Sequence, residues 1–235
     1  MSTFQLSRDG AVAVLSHDDG KANTFTRPQF DELFERLDEV ERSDATALLY
    51  RGRPGYFSAG LNLKVLPSLK DTEWAPLLSA FGECVLRIFT FPKPVVAEVT
   101  GHAIGAGAML AYAADVRIFQ NGAFKFGLNE VPNGMPVPGY GVEVARFALP
   151  WSAQVDLIMH GRLIDPDEAL RLRVAESVAD DAHLVALERA RALAELPTDP
   201  YAVTKLNLRG AAAESARARI TAETEQFIQA MAGRR

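Results

Sequence analysis

Residues 101–115 constrain the fold of this chain more than any other stretch. They follow an apolar run of strand character at 94–99, read Gly-His-Ala-Ile-Gly-Ala-Gly-Ala, and continue as a smooth helix former from Ala106 onward. Glycines packed this closely between a strand-like run and a helical run are typical of a tight turn. We therefore predict a strand, a tight turn and the start of a helix.

Such a turn can form a binding site for an anion. The first N–H groups of a helix have no partner within the helix, and the helix dipole favours negative charge beside them. The anion could be a phosphate that is charged in the ground state or an oxyanion that develops during a reaction. A third reading is that the glycines only let a helix pack closely on a sheet, and the turn alone does not decide among the three.

The composition of the chain limits the kinds of partner that it can bind. The chain has 235 residues, 48% hydrophobic and 23% charged, with a net charge of -5 and a pI near 5.5, which describes an ordinary globular protein. This balance argues against nucleic acid or an anionic membrane as partner, because both require basic surface. No segment resembles a secretory signal or a membrane span, so we expect a cytoplasmic protein with a small-molecule partner.

Cysteine and histidine usage argues against two further classes. A single cysteine, Cys84, allows no internal disulfide, and its apolar neighbours predict a packed thiol. The 4 histidines are scattered without metal-ligand spacing. We therefore predict no metal site.

The N-terminal third predicts alternating strands and helices. Residues 4–6 and 11–15 read as a hairpin, 26–29 as a capping box with proline in the first turn, and 30–40 as an amphipathic helix. A buried strand follows at 46–50. This is a β, α, β order with both faces of the sheet covered.

A second small-residue turn, at 57–63, directly follows a strand. Ser58 lacks the Gly-x-Ser-x-Gly spacing of a hydrolase elbow, so we interpret it as a turn serine. Residues 64–75 read as a mobile loop and 76–91 as an apolar helix.

Glu130 stands in a turn bounded by glycine and proline, after short strands predicted at 116–119 and 124–126. A partly buried carboxylate has a raised pKa and becomes a usable base near neutral pH. The alternative is a solvated loop acid. The carboxylate alone does not distinguish them.

The C-terminal part reads as helical from residue 183 onward, with a break at its prolines. The last helix carries apolar residues on one side, and the sequence leaves little core for them to join. We expect this face to pack onto a neighbouring subunit. Its members are Ile220, Phe227, Ile228 and Met231.

Three motifs in this order resemble the crotonase superfamily of enoyl-CoA hydratases and isomerases. They are Phe-Ser-Ala-Gly-Leu-Asn-Leu at 57–63, Gly-His-Ala-Ile-Gly-Ala-Gly-Ala at 101–108 and Phe-Gly-Leu-Asn-Glu at 126–130. The resemblance implies an α/β fold with a spiral core of β-β-α turns at 1–195 and a helical trimerisation region at 196–235. It also implies a homotrimer or a hexamer made of two trimers.

The family resemblance implies site residues position by position. Two backbone N–H groups hold a thioester oxygen, and they fall on Leu61 and Ala106. Relatives often have aspartate at the position of Asn62 and glycine at that of Ala106, and neither change removes an N–H group. The adenosine end of coenzyme A is expected near Lys21, a plausible phosphate contact. The implied substrate-binding residues are Lys21, Ala22, Ala59, Asn62, Leu63, Ile104, Gly105, Met109 and Asn129.

One departure from the family pattern is informative. Hydratases of the family use two glutamates, and Met109 occupies the position of the first, so only Glu130 remains. Losing one acid–base group costs on the order of 10²- to 10⁴-fold. The segment at 128–130 resembles that of Δ3,Δ2-enoyl-CoA isomerases. In that reading Glu130 moves a proton from C2 to C4 of a 3-enoyl-CoA, and coenzyme A is part of the substrate, with no separate cofactor.

Three other functions stay open at this stage. A dinucleotide-binding oxidoreductase would need a third glycine after Gly107 and a well-placed acidic residue. A non-catalytic acyl-CoA binder would keep the fold and the N–H pair, although the intact Glu130 favours an enzyme. Hydration or hydrolysis of another acyl-CoA is the third, since one fold hosts many reactions.

Overall fold

The chain begins with a hairpin and then alternates between strands and helices. The computed structural model describes residues 2–62, 64–65 and 68–232. The strands are β1 (Phe4–Asp9), β2 (Val12–His17), β3 (Thr24–Phe25), β4 (Ala47–Arg51), β5 (Gly55–Ser58), β6 (Gly60–Leu61), β7 (Val95–Val99), β8 (Gly101–Ile104), β9 (Val116–Gln120), β10 (Phe126–Gly127) and β11 (Ser177–Ala179). The α-helices are α1 (Arg27–Arg42), α2 (Asp71–Phe89), α3 (Ala106–Ala113), α4 (Gly139–Ala148), α5 (Trp151–Gln154), α6 (Pro166–Arg171), α7 (Ala182–Ala194) and α8 (Thr198–Ala232).

The strands form one large sheet and two small ones. The large sheet has the order β1-β2-β4-β7-β9-β11, in which only the β1–β2 hairpin is antiparallel. A second sheet has the order β10-β8-β5, and β3 pairs with β6. Four strands of the large sheet, β2, β4, β7 and β9, each lead into one or two short strands and then a helix, as in β7, β8 and α3. The predicted hairpin and the spiral of β-β-α turns are therefore confirmed.

Both faces of the large sheet are covered, which explains why its central strands read as continuous apolar runs. Alternate side chains of β4 point to opposite faces, with Leu48 in the main hydrophobic cluster and Leu49 in a second one. The main cluster lies against α1, α2 and α3, while three alanines of α7 close the second. The site elements thus rest on a rigid, buried base.

The last helix, α8, packs on its own chain. Ile220 belongs to the main hydrophobic cluster, and the Phe227 ring lies 6.1 Å from that of Trp74. The buried Lys205 ammonium lies 2.6 Å from Asp115 Oδ2 and fixes the first half of the helix. Our expectation that this apolar face covers a neighbouring subunit is wrong at Ile220, which is 5% exposed within this chain. At Phe227, which is half-buried, it stays a prediction. The division of the chain at residue 196 stays a prediction.

Helix α2 begins earlier than the sequence suggests. The predicted loop over 64–75 is wrong at 71–75, because the helix starts at Asp71. Glu73 Oε2 accepts the N–H of Lys70 at 2.7 Å and so closes the first turn. Pro76 therefore lies inside the helix. None of the helices in the described ranges combines the length and apolar character that crossing a membrane requires.

Candidate active site

The two glycine turns meet at the start of α3. Gly60 and Gly105 have φ values of +84° and +58°, a left-handed region that glycine adopts without strain. A Cβ atom on Gly60 would lie 2.8 Å from the Ile104 carbonyl oxygen and 3.1 Å from the Ala106 nitrogen. Only a residue without a side chain allows this approach. The turns predicted separately from the sequence thus form one surface.

Two backbone N–H groups stand at this junction. Ala106 is the first residue of α3, so its N–H has no partner within the helix. Asn62 donates its N–H to the Phe25 oxygen at 2.9 Å. Because successive N–H groups along a strand point to opposite edges, the N–H of Leu61 is directed away from β3. Leu61 and Ala106 both line the same cavity.

The first turn is held by residues that the sequence did not single out as a group. The Asn23 side-chain amide donates to the carbonyl oxygens of Tyr56 and Phe57, each at 3.2 Å. Ser58 Oγ donates to Asn23 O at 2.6 Å and accepts the N–H of Gly60 at 3.0 Å. The interpretation of Ser58 as a turn serine fits this geometry. Asn23 and Ser58 therefore fix the backbone that presents Leu61.

The predicted base, Glu130, lies against the second turn. Gly105 donates its N–H to Gly127 O at 3.0 Å, which joins the end of β10 to the start of α3. A Cβ atom on Gly105 would lie 3.2 Å from Glu130 Oε1 and 3.5 Å from Asn129 Oδ1. The carboxylate therefore lies directly against Gly105, and an added side chain there would crowd it by a few tenths of an ångström.

The environment of Glu130 makes it a base near neutral pH. Its Oε2 atom is buried without a hydrogen-bond partner in the described part of the chain. Burial raises the pKa of the Glu130 carboxyl to about 7, while the backbone N–H groups of Asn129 and Glu130 act in the opposite direction. The alternative of a fully solvated loop acid does not fit this position.

A cavity of about 800 Å³ opens beside Glu130. Among the residues predicted to bind substrate, those that line it are Ala59, Leu61, Ile104, Gly105, Ala106, Met109, Asn129 and Glu130. Asn62, by contrast, uses its Oδ1 to accept the N–H of Lys64 at 3.2 Å in a local turn. Leu63 lies outside the described residues.

The predicted coenzyme A loop lies next to the first turn but outside the cavity lining. Ala59 donates its N–H to Ala22 O at 2.9 Å. Asp19 Oδ1 accepts the N–H groups of Lys21 at 2.7 Å and Asn23 at 2.9 Å, which shapes the loop. The Lys21 residue is exposed. The side chain is thus available to a ligand that enters over the first turn.

Met109 forms part of the cavity wall one helical turn after Gly105. It is 1% exposed, and a Cβ atom on Gly141 would lie 2.6 Å from its Sδ atom. Gly141 therefore leaves the room that this side chain fills. A thioether cannot transfer protons, so the cavity wall is apolar at the position where the family resemblance implies a further glutamate.

The sequence did not reveal the part of the cavity formed by α4 and α8. Tyr140 and Thr224 are buried, and both line the cavity together with Arg219 and Glu223. Glu223 Oε2 accepts the N–H of Gly139 at 2.7 Å. The spacing of Arg219 and Glu223 by one helical turn is a usable signal for an ion pair, but it does not reveal the contact with α4.

Comparison with known proteins agrees with this geometry. The family model described as enoyl-CoA hydratase/isomerase matches residues 7–234. The probable enoyl-CoA hydratase echA17 of Mycolicibacterium paratuberculosis is 32% identical over 229 residues, which are 95% of this chain and 88% of that protein.

Two solved structures are similar over nearly the whole chain. The crystal structure of the probable enoyl-CoA hydratase ECHA3 from Mycobacterium tuberculosis has 31% identity and a TM-score of 0.91, with 98% of both chains covered. A second, apo structure of the same Mycobacterium tuberculosis protein, there called an enoyl-CoA isomerase, has 31% identity and a TM-score of 0.89, with 96% of this chain and 99% of that chain covered. The protein therefore belongs to the enoyl-CoA hydratase/isomerase family of the crotonase superfamily.

Proposed function

We propose that this protein is an enoyl-CoA isomerase that moves the double bond of a 3-enoyl-CoA to the 2-position. One observation carries the proposal: the carboxylate of Glu130 lies at the junction of the two glycine turns, against Gly105, while Met109 fills the position of the family's second glutamate. The site thus offers the Glu130 carboxylate in the same cavity as Leu61 and Ala106, whose backbone N–H groups are the predicted donors.

In the proposed reaction the thioester oxygen accepts hydrogen bonds from the N–H groups of Leu61 and Ala106. Glu130 removes a proton from C2, and the electron pair of the broken C–H bond spreads over the oxygen, C2 and C4 as a dienolate. Glu130 then returns the proton to C4, which leaves the double bond between C2 and C3. Removing one donor from such an oxyanion hole typically costs about 3 kcal/mol.

The proton affinity of Glu130 suits both halves of this reaction. A group with a pKa of about 7 is partly ionised at neutral pH and is nevertheless a competent acid once it has accepted a proton. A second acid–base group is unnecessary because one proton leaves and one proton returns. Hydration, in contrast, needs a group that activates water as well as one that protonates carbon.

Hydration of a 2-enoyl-CoA is the second candidate. The names of similar proteins favour it, since the relative from Mycolicibacterium paratuberculosis is named a probable hydratase. Glu143 is a further carboxylate in the cavity lining, and it would have to supply the missing acid–base function. It lies on α4, among the residues that bound the part of the cavity closed by α8.

The deciding experiment follows the absorbance of the conjugated 2-enoyl thioester. Wild type should convert a 3-enoyl-CoA rapidly, and Glu130→Gln should lose on the order of 10²- to 10⁴-fold in kcat. Glu225→Gln, which changes an exposed residue of α8, is the matched control and should retain full activity. Faster hydration of a 2-enoyl-CoA than isomerisation would assign the second candidate instead. Binding without either reaction would assign a non-catalytic acyl-CoA binder.

The remaining expectations belong to the same proposal. Coenzyme A enters as part of the substrate, with Lys21 near its phosphates, and we infer a homotrimer or hexamer in the cytoplasm. Sedimentation equilibrium of the purified chain measures the assembly, and a monomer at micromolar concentration would contradict that inference.

A further inference from the structure

The cavity has a polar region formed by α4 and the last turns of α8. Glu143, Arg219, Glu223 and Thr224 line it there, on elements other than those that carry Glu130 and the glycine turns. Hydrocarbon chains need no such groups, and burying polar groups without partners is unfavourable. Among these four residues the argument applies to Thr224, which is buried, whereas the three charged residues form ion pairs with one another or with Arg146.

Among these residues, Thr224 gives the strongest indication of a ligand hydrogen bond. It is 6% exposed and lines the cavity, yet no hydrogen bond within the described ranges involves its hydroxyl group. A threonine in a helix commonly donates to the carbonyl four residues earlier. Thr204 on the same helix does this, with its Oγ1 2.7 Å from Pro200 O. The hydroxyl of Thr224 is thus available as both donor and acceptor inside the cavity.

The charged side chains near Thr224 use only part of their hydrogen-bonding capacity within the protein. Glu223 accepts the N–H of Gly139 at 2.7 Å and lies 3.3 Å from the Arg219 guanidinium. Glu143 Oε1 lies 3.7 Å from Arg219 Nη2, which is longer than a hydrogen bond. The second oxygen of Glu143 lies 3.3 Å from Arg146. One oxygen of Glu143 can therefore still accept a hydrogen bond.

The charges of this polar region balance. Two carboxylates, Glu143 and Glu223, face two guanidinium groups, Arg146 and Arg219, through the ion pairs just described. A ligand group with a full charge would disturb that balance, whereas an uncharged hydroxyl group would not. A hydroxyl on a ligand in the cavity can exchange a hydrogen bond with Thr224 or donate one to Glu143, since both residues line it. The chemistry therefore selects a neutral donor and acceptor.

Other parts of the cavity wall are hydrocarbon. The apolar side chains that line it include those of Leu78, Phe81, Met109, Val137 and Phe227. Methylene groups of an acyl chain would pack against these side chains. A ligand that matches the whole cavity has a thioester at the glycine turns, methylenes along the apolar wall, and a polar group at Thr224.

We propose that Thr224 and Glu143 form a subsite for a hydroxyl group on the acyl chain, so that the preferred substrates are hydroxylated enoyl-CoA thioesters. This inference rests on the proposed function in taking the cavity as an acyl-CoA site. A site built to hydrogen-bond a hydroxyl group discriminates against the analogue that lacks it, because its own polar groups are then left unpaired.

The test measures binding, so that it does not depend on turnover. Titration calorimetry gives Kd for saturated acyl-CoA thioesters of six to twelve carbons, each with and without a terminal hydroxyl group. At the length that reaches Thr224, the hydroxylated ligand should bind on the order of 10-fold more tightly than its plain counterpart. Equal or weaker binding of the hydroxylated ligand at every length would overturn the proposal.

Variants assign the effect to the subsite. Thr224→Val keeps the shape of the side chain and should reduce the preference to about 2-fold or less, and Glu143→Gln should reduce it as well. Thr204→Val makes the same change at an exposed position of α8 and should leave the preference intact. A preference that survives in both Thr224→Val and Glu143→Gln would also overturn the proposal.

This design separates failure of the subsite from failure of the proposed reaction. A hydroxyl preference in a protein that does not isomerise 3-enoyl-CoA would support the subsite and refute the isomerase. Isomerisation without a hydroxyl preference would support the isomerase and refute the subsite. Absence of binding by every thioester would refute both.

Discussion

Replacing Glu130 by glutamine should stabilise the protein at alkaline pH while it abolishes the proposed activity. Burial raises the pKa of the Glu130 carboxyl from 4.5 to about 7. Between these values the folded chain holds a proton that the unfolded chain has released, so stability falls as the pH rises through this interval. Below it both states are protonated, and above it the loss is complete.

The size of the effect follows from that interval. The difference between 4.5 and about 7, at 1.36 kcal/mol per pH unit, corresponds to about 3 kcal/mol. Glutamine removes the cost of ionisation but leaves a partly buried amide in the same place, which costs about 1 kcal/mol when it is unpaired. We therefore expect Glu130→Gln to be more stable than wild type by about 2 kcal/mol at about pH 8.5 and no more stable at about pH 4.

Urea denaturation at several pH values measures this difference. The free energy of unfolding of wild type should decrease from about pH 4.5 to about pH 7 relative to that of Glu130→Gln. Glu225→Gln, at an exposed position, should follow wild type over the whole range. If the difference between wild type and Glu130→Gln is the same at acid and alkaline pH, Glu130 does not titrate as a buried carboxyl and the argument for its role as a base fails.

Three further substitutions address the glycine turn, the apolar wall and the coenzyme A loop. Gly105→Ala should lower kcat/KM for isomerisation about 100-fold, because its Cβ would lie 3.2 Å from Glu130 Oε1. Gly10→Ala is the control, because Gly10 has a similar φ of +55° but an added Cβ atom would have no neighbour within 4 Å. An equal loss of activity in the two variants would contradict the proposed crowding of Glu130. Met109→Glu should reduce the free energy of unfolding at neutral pH by about 2 to 4 kcal/mol, because the Met109 side chain that it replaces is 1% exposed. An unchanged urea denaturation curve would contradict this expectation. Lys21→Ala should raise KM for acyl-CoA about 3-fold without changing kcat, and the effect should fade at high salt in steady-state assays.

Features set by neighbouring residues could be predicted from the sequence. The Thr26 cap follows from residues within one turn, and Gln29 Oε1 accepts the Thr26 N–H at 3.1 Å, as the capping box predicts. The turn at Gly105 belongs to the same class, because its conformation depends on the residue type at one position.

Features set by contacts between distant segments could not be predicted in this way. Asn23 fixes the first glycine turn through bonds to Tyr56 and Phe57, more than thirty positions away. Glu223 reaches Gly139 across a separation of 84 residues. The apolar face of α8 could be recognised as one face, but the helix alone does not reveal that Ile220 packs into the hydrophobic cluster of its own chain. The polar region around Thr224 depends on that placement.

The same features that make the proposed base effective also destabilise the fold. A cation beside Glu130 would stabilise its carboxylate, but it would also lower the pKa and weaken the base. The groups that lower the pKa of Glu130 are backbone N–H groups alone, and burial outweighs them. The missing side chain at Gly105 provides the space in which that burial occurs. Because one carboxyl with a pKa of about 7 can both remove and return a proton, the neighbouring wall needs no second acid. In the proposed reaction Met109 then serves as an apolar surface for the acyl chain.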